Sequence, residues 1–170
     1  MSGGRVVVLL ALLSLMPAVA VAQTPAQKRP DCTAAEHRQF DFWLGAWEVT
    51  EKGKSAGTNR IESDLNGCVL IEHWTSASGG RGTSLNFYDR DTKAWYQTWV
   101  DGSGGALCLK GGVMDGRMRM QTQPAAGATA VERITWSQEP DGSVRQLWES
   151  SRDGGTTWTT AFDGRYVKQK

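Results

Sequence analysis

Short segments separated by turn residues make up most of the chain from about residue 43 to residue 168. Gly, Asn and Asp recur between the segments, in pairs such as Asn66-Gly67 and Asp115-Gly116. These residues adopt the positive φ angles of tight hairpin turns at little cost. Parallel strands need crossover connections of a dozen or more residues, and the turns here are far shorter. The spacing therefore predicts an antiparallel all-β fold.

The turns delimit about ten candidate strands, and such a set of strands forms an up-and-down barrel or a sandwich. A short helix is predicted before them over 33–41, with Thr33 as its N-cap and Glu36 at the third helical position. The predicted strands are 43–51, 58–66, 68–76, 83–89, 94–101, 106–110, 117–122, 130–138, 143–151 and 157–168.

The first 22 residues have the pattern of a signal peptide. Arg5 precedes the apolar run 6–15, Pro17 ends this run, and Ala20-Val21-Ala22 offers a small-x-small cleavage site. The run is shorter than the roughly 20 residues that span a bilayer. We therefore expect cleavage near Ala22, a secreted or periplasmic protein, and no stable membrane insertion. The predicted segments are a signal peptide over 1–22, a flexible lead-in over 23–31 and a barrel domain over 32–170.

The charge balance excludes one class of partner. Arg5 is the only charged residue of the predicted signal peptide, so the rest of the chain carries 18 basic and 18 acidic side chains. Nucleic-acid binding depends on an excess of basic residues. We therefore expect no nucleic-acid partner, and we expect a monomer whose partner is a small molecule.

Three cysteines are present: Cys32, Cys68 and Cys108. In the oxidising environment that an exported chain enters, the simplest outcome is one disulfide and one free thiol. The sequence spacing leaves all three pairings open. The wide spacing of these cysteines does not match a metal site, and the two histidines, His37 and His73, lie on different predicted elements. We expect neither a metal nor a haem group.

Several predicted strands carry tryptophan and polar side chains at alternate positions, which places both kinds on one face. Aromatic walls with a few polar groups are typical of ligand pockets. The alternative is an ordinary barrel core, and a one-residue slip would turn the opposite set inward, with His73 and Thr98 among it. The candidate ligand-binding residues are Glu72, Trp74, Asn86, Tyr88, Gln97, Trp99, Gln146 and Trp148.

Signals of enzymatic activity are sparse. The chain has no Gly-x-Ser-x-Gly, no His-Glu-x-x-His and no phosphate-binding glycine loop. Glu72 is the one weak catalytic candidate, because a carboxyl buried near Trp74 could act as a general acid or base. The alternative is a structural Glu72 bonded to Arg133 or Arg145. Whether the protein is an enzyme stays open.

The segment from Ser151 to Trp158 has the pattern Ser-x-Asp-x-Gly-x-Thr-Trp, known as an Asp box. The motif occurs once, whereas in propeller enzymes it repeats in each blade. In this motif Asp153 accepts backbone N–H groups within a turn and the glycine supplies a positive φ. We predict a stabilising hairpin here, without a catalytic role.

Gly45-Ala46-Trp47, at the start of the first strand, resembles the lipocalin and wider calycin superfamily, in which this Trp closes one end of the barrel. Together with Gly67-Cys68, 95–101 and Trp148-Glu149, it is similar to a family of secreted bacterial proteins with a calycin-like fold and no established reaction. The resemblance implies an antiparallel barrel of about ten strands with a short N-terminal helix. It also implies a Cys32–Cys68 disulfide with Cys108 unpaired.

These observations favour a secreted barrel that binds a small, partly apolar molecule in its interior. Two alternatives stay open. One is a barrel enzyme, an isomerase or hydrolase that uses Glu72. The other is an interaction module of the cell envelope, whose barrel interior is filled by side chains.

Overall fold

A computed structural model describes residues 32–170 of the chain. The predicted signal peptide and lead-in lie outside the described residues. A short helix, α1 (Ala35–Arg38), and a 3-10 turn, Asp41–Trp43, precede the first strand, and a second 3-10 turn, Leu65–Gly67, follows β2. The strands are β1 (Gly45–Glu51), β2 (Lys54–Asp64), β3 (Val69–Ser76), β4 (Arg81–Asp89), β5 (Ala94–Asp101), β6 (Ala106–Met114), β7 (Arg117–Thr122), β8 (Val131–Gln138), β9 (Val144–Ser151) and β10 (Thr159–Lys168).

The strands of residues 32–170 form one closed antiparallel barrel. Each strand pairs with its neighbours in sequence, and β10 returns to pair with β1, where Trp47 lies opposite Lys168. The predicted up-and-down barrel of about ten strands with a short N-terminal helix is therefore confirmed. Among the described residues, no helix has the length and apolar character needed to cross a membrane.

The predicted boundaries differ most from the structure in three elements: the helix, β2 and β6. The helix is shorter than 33–41, and its N-cap position is Ala34 rather than Thr33; the chain leaves the helix early because Phe40 and Trp43 are both fully buried in the barrel. β2 begins at Lys54, before 58. β6 continues past Lys110 to Met114, so Gly111 lies within the strand and does not end it. A Cβ at Gly111 would lie 2.0 Å from the Arg119 carbonyl oxygen, so glycine allows the close approach of β7.

Five aromatic rings fill the end of the barrel next to α1, and we call them the aromatic plug: Phe40, Trp43, Trp47, Trp95 and Trp136. The ring of Phe40 stacks on Trp43 with 4.9 Å between centroids and meets Trp136 edge-on at 5.1 Å. The indole N–H of Trp47 donates to the Trp43 carbonyl oxygen at 2.9 Å. The plug closes this end of the barrel.

A disulfide joins Cys32 to Cys68, with 5.0 Å between their Cα atoms, and Cys108 is exposed and unpaired. The disulfide fixes the segment before α1 to the start of β3. The Arg38 guanidinium adds a hydrogen bond to the Gly67 carbonyl oxygen. Both the predicted pairing and the predicted free thiol are confirmed.

The Asp box forms the hairpin between β9 and β10. The Asp153 carboxylate accepts the backbone N–H groups of Thr156 at 3.0 Å and of Thr157 at 2.8 Å, and also the Thr157 hydroxyl at 2.6 Å. These donors lower the pKa of Asp153 to about 2. The Arg133 guanidinium covers the ring of Trp158 at 3.7 Å. The contacts are those of a structural turn, as the sequence predicts.

We expect Asp153→Ala to lower the melting temperature at pH 7, because the turn loses its shared acceptor. Since the pKa of Asp153 is lowered, its stabilisation is present above about pH 4 and is lost as the pH falls through about 2. Thermal unfolding followed by circular dichroism at several pH values tests this. The control is Asp91→Ala, which removes an exposed turn carboxylate that accepts no hydrogen bond from residues 32–170. Equal melting temperatures for both variants would contradict the role assigned to Asp153.

Candidate functional site

A cavity of about 270 Å³ occupies the half of the barrel opposite the aromatic plug. Side chains of six strands surround it: β3, β5, β6, β8, β9 and β10. The residues of the described chain that line it are Glu72, Trp74, Gln97, Trp99, Leu107, Ile134, Gln146, Trp148, Ala161, Phe162 and Tyr166. Six of the eight candidate ligand-binding residues are among them, so the sequence predicted the inward face of β3, β5 and β9 correctly.

The structure does not bring the other two candidates, Asn86 and Tyr88, to the cavity. Asn86 is fully buried and is held by polar neighbours. Tyr88 lies deeper, with its ring 5.2 Å from His37 and 6.2 Å from Trp95 of the plug. Both face inward on β4, but this strand descends toward the closed end. Strand alternation predicts a face and carries no information on depth.

Sequence reasoning missed five lining residues, of which Phe162 and Tyr166 on β10 matter most. Phe162 and Tyr166 are separated by an even number of positions, so strand alternation places both rings on one face, and the sequence alone contains this signal. The pairing of β10 with β9, however, shifts register between Thr160 and Phe162, so counting from the start of the strand gives the wrong face. The three small or aliphatic residues, Leu107, Ile134 and Ala161, carry no distinguishing signal.

Three half-buried indoles form the aromatic walls of the cavity, and their own neighbours hold them in place. Trp99 lies against Gly82, where a Cβ would come within 2.1 Å of the ring. The Trp148 indole N–H donates to Glu132 Oε2 at 2.6 Å. Trp74 meets Phe162 edge-on at 6.4 Å. The walls are thus fixed without a ligand.

A series of neighbouring polar side chains crosses the cavity base, all of them buried except the half-buried Gln146. We call it the polar chain: Gln97, Asn86, Ser84, Glu72, Asn59, Tyr166 and Gln146. On one side, Gln97 Nε2 donates to Asn86 Oδ1 at 2.8 Å, and Asn86 Nδ2 donates to Ser84 Oγ at 2.9 Å. The Ser84 hydroxyl then donates to Glu72 Oε2 at 2.6 Å. This half of the chain leads from the cavity to the buried carboxyl group.

The second half of the polar chain begins at the other oxygen of Glu72. Asn59 Nδ2 donates to Glu72 Oε1 at 2.7 Å. The Asn59 side chain also lies beside the Tyr166 hydroxyl, which donates in turn to Gln146 Oε1. The polar chain therefore ends at two glutamines, Gln97 and Gln146, which both line the cavity.

Burial controls the ionisation of the two titratable groups in the polar chain. Burial raises the pKa of Glu72, and the hydrogen bonds from Ser84 and Asn59 oppose this shift. Burial also raises the pKa of Tyr166, and the negative charge of Glu72 adds to the effect. Both groups therefore favour their neutral forms more than they would in water.

The suggestion that Glu72 is bonded to Arg133 or Arg145 is wrong. The guanidinium of Arg133 pairs with Glu149 at 2.8 Å, and that of Arg145 pairs with Asp163 at 2.7 Å. Strand alternation places both arginines on the outer face. The carboxyl oxygens of Glu72 instead accept hydrogen bonds from the uncharged side chains of Asn59 and Ser84. Among residues 32–170, no Lys or Arg forms an ion pair with Glu72.

The histidines lie away from the cavity. His73 points outward and is 3.5 Å from Glu62, as the inward orientation of Trp74 requires. His37 is buried at the closed end against Tyr88. Residues 32–170 contain no group of three or more His, Cys, Asp or Glu placed to hold a metal ion.

Neither a scan of protein-family models nor a search of curated proteins returned a match for this chain. The resemblance to secreted lipocalin-like proteins therefore stays a prediction, whereas the closed barrel is seen directly.

We expect the stability of the wild-type protein to fall, relative to Glu72→Gln, as the pH rises above about 4.3, the ordinary pKa of glutamate. The folded state raises the pKa of Glu72, so it holds the proton more tightly than the unfolded chain. Ionisation at higher pH therefore costs folding free energy, by at most about 1.4 kcal/mol per pH unit. Glutamine has no such proton.

Urea unfolding of both proteins between pH 5 and pH 8 measures this difference. The lowered pKa of His37 also affects stability near pH 6, but it acts equally in both proteins and cancels in the comparison. Parallel stability curves would contradict a buried carboxyl with a raised pKa.

Proposed function

We propose that this protein binds a small, partly apolar molecule inside the barrel. The observation that carries the proposal is the uneven filling of the interior. The aromatic plug fills one end completely, whereas the other half retains a cavity of about 270 Å³, roughly nine times the volume of one water molecule in the liquid. An ordinary core would close such a space, because protein interiors pack densely.

The composition of the cavity lining supports a ligand with a ring or short hydrocarbon body. Trp74, Trp99 and Trp148 present flat apolar surfaces, on which rings stack and apolar groups leave water. The polar chain lies beneath them and would fix the orientation of the ligand. Apolar walls with a few placed polar groups are the usual composition of small-molecule sites.

Export to an oxidising compartment is part of the proposal. The Cys32–Cys68 disulfide is of the kind that persists outside the cytoplasm. The sequence pattern of a signal peptide over 1–22 and the resemblance to secreted lipocalin-like barrels agree with this location. A closed barrel that carries a ligand in its interior is compatible with each of these observations.

Two alternatives are less well supported. An interaction module with a filled core does not account for the cavity. An enzyme that uses Glu72 has one observation in its favour, the buried carboxyl at the cavity. Both oxygens of Glu72, however, accept hydrogen bonds from fixed neighbours, Asn59 and Ser84, which suits a structural and orienting group better than a proton carrier.

A fluorescence titration with the neutral probe N-phenyl-1-naphthylamine tests the proposal. We expect saturable binding, and we expect Trp99→Ala to weaken it by roughly 10- to 150-fold, because removing one aromatic wall costs about 1.5–3 kcal/mol of apolar contact. Trp99→Ala should weaken binding more than it weakens folding, because the Trp99 ring borders the empty cavity on one side. The matched control is Tyr96→Ala, which removes a ring from the outer face of the same strand, where it stacks on Phe87.

No saturable binding to the wild-type protein would contradict the proposal. Equal affinities of Trp99→Ala and Tyr96→Ala would contradict the placement of the site. Gly82→Ala provides a second variant, because its methyl group would displace the Trp99 ring without removing any lining residue.

A further inference from the structure

We infer that the ligand carries both a hydrogen-bond donor and an acceptor and no negative charge, and that the cavity rejects organic anions of the same shape. This inference rests on the proposed function and names the class of ligand for that cavity. Two features of the interior carry it: the charges that line the cavity, and the two unpaired polar groups at the ends of the polar chain.

The cavity offers no positive charge to an anion. The lining residues in the described part of the chain include no Lys, Arg or His, and the one carboxylic acid among them is Glu72. A carboxylate in this space would lose its water, gain no ion pair and face Glu72. An unpaired buried charge is among the least favourable arrangements in a protein.

Arg81 lies outside the cavity lining, in the groove that adjoins the cavity at Trp74 and Trp99 and also contains Asp101. An anionic group could reach Arg81 only on a ligand long enough to leave the cavity. The inference therefore concerns molecules that fit entirely within about 270 Å³.

The two glutamines at the ends of the polar chain each keep one group without a partner among residues 32–170. Gln97 is only 3% exposed; its Nε2 donates to Asn86 and Ser84, which leaves Oε1 as a free acceptor. Gln146 uses its Oε1 to accept from Tyr166, which leaves Nε2 as a free donor. Both glutamines line the cavity, so a ligand that enters displaces solvent from these groups. A polar group left without a partner in this way is costly, so a ligand that pairs with both is favoured.

This pattern selects against ligands that lack either function. A ligand N–H or O–H would donate to Gln97 Oε1, and a ligand carbonyl or hydroxyl oxygen would accept from Gln146 Nε2. Sites built to hydrogen-bond a ligand reject analogues that lack the matching group more strongly than apolar pockets do. Amides, lactams and hydroxylated rings belong to the favoured class.

Four probes with one naphthalene ring and near-identical side groups test the inference. They are 2-naphthamide, which donates and accepts; 2-acetonaphthone, which only accepts; 2-naphthoate, which is anionic; and 2-naphthylmethylammonium, which is cationic. Each competes at pH 7 with N-phenyl-1-naphthylamine bound to the full mature chain. We expect the amide to bind tightest, the ketone about tenfold more weakly and the carboxylate about a hundredfold more weakly.

Gln97→Met supplies the variant that assigns the donor contact. It keeps the length of the side chain and removes Oε1, so the affinities of the amide and the ketone should become equal while ketone binding is retained. Circular dichroism and the retained binding of N-phenyl-1-naphthylamine show whether the variant is folded. If it does not fold, the order of the four probes on the wild-type protein decides the question alone.

The outcomes distinguish an error in the ligand class from the absence of an interior binding site. A carboxylate or ammonium probe that competes as well as the amide overturns the inference, and so does an amide that fails to compete. In each of these cases bound N-phenyl-1-naphthylamine would still support an interior site. If that probe itself does not bind, the proposed function fails.

Discussion

Stacking of aromatic rings at the closed end determines how the rest of the interior is divided. Phe40 and Trp43 enter the barrel from the N-terminal segment and pack against Trp136 of β8, with centroid distances of 5.1 and 5.5 Å. The disulfide at Cys32 keeps that segment in position. At the other end, large aromatic side chains such as Trp74, Trp99 and Trp148 line a space that they do not fill, as the width of a barrel with this many strands allows.

The polar chain depends on this division. Glu72 sits between the plug and the cavity, where it is buried yet fully hydrogen-bonded by Asn59 and Ser84. Uncharged side chains donate to both carboxyl oxygens, so no cation is needed inside the barrel. At the two ends of the polar chain, Gln97 and Gln146 each keep one group without a partner among residues 32–170. If both glutamines had partners for all their polar groups within the protein, the network would be only a part of the core. Here the network ends at the cavity, which makes its last two residues the natural contacts of a ligand.

The sequence predicts the fold far better than the complete site. Turn residues and period-two alternation predict the barrel and the inward face of Trp74, Trp99 and Trp148, because these signals are local. Depth along a strand is not local, so Asn86 and Tyr88 were expected at the cavity and lie below it. The bulge at the start of β10 hides the inward face of Phe162. The donors to Glu72 come from β2 and β4, a pairing that follows only from the three-dimensional register.

Nuclear magnetic resonance of the indole N–H groups tests the central claim most directly, since the eight tryptophans divide between the plug, the cavity and the surface. On addition of N-phenyl-1-naphthylamine, we predict that the resonances of Trp74, Trp99 and Trp148 shift together. Those of Trp43, Trp47, Trp95 and Trp136 in the plug, and that of Trp158 in the Asp box, should not move. Shifts confined to the plug or to Trp158, or no shift at saturating probe, would contradict a ligand site in the open half of the barrel.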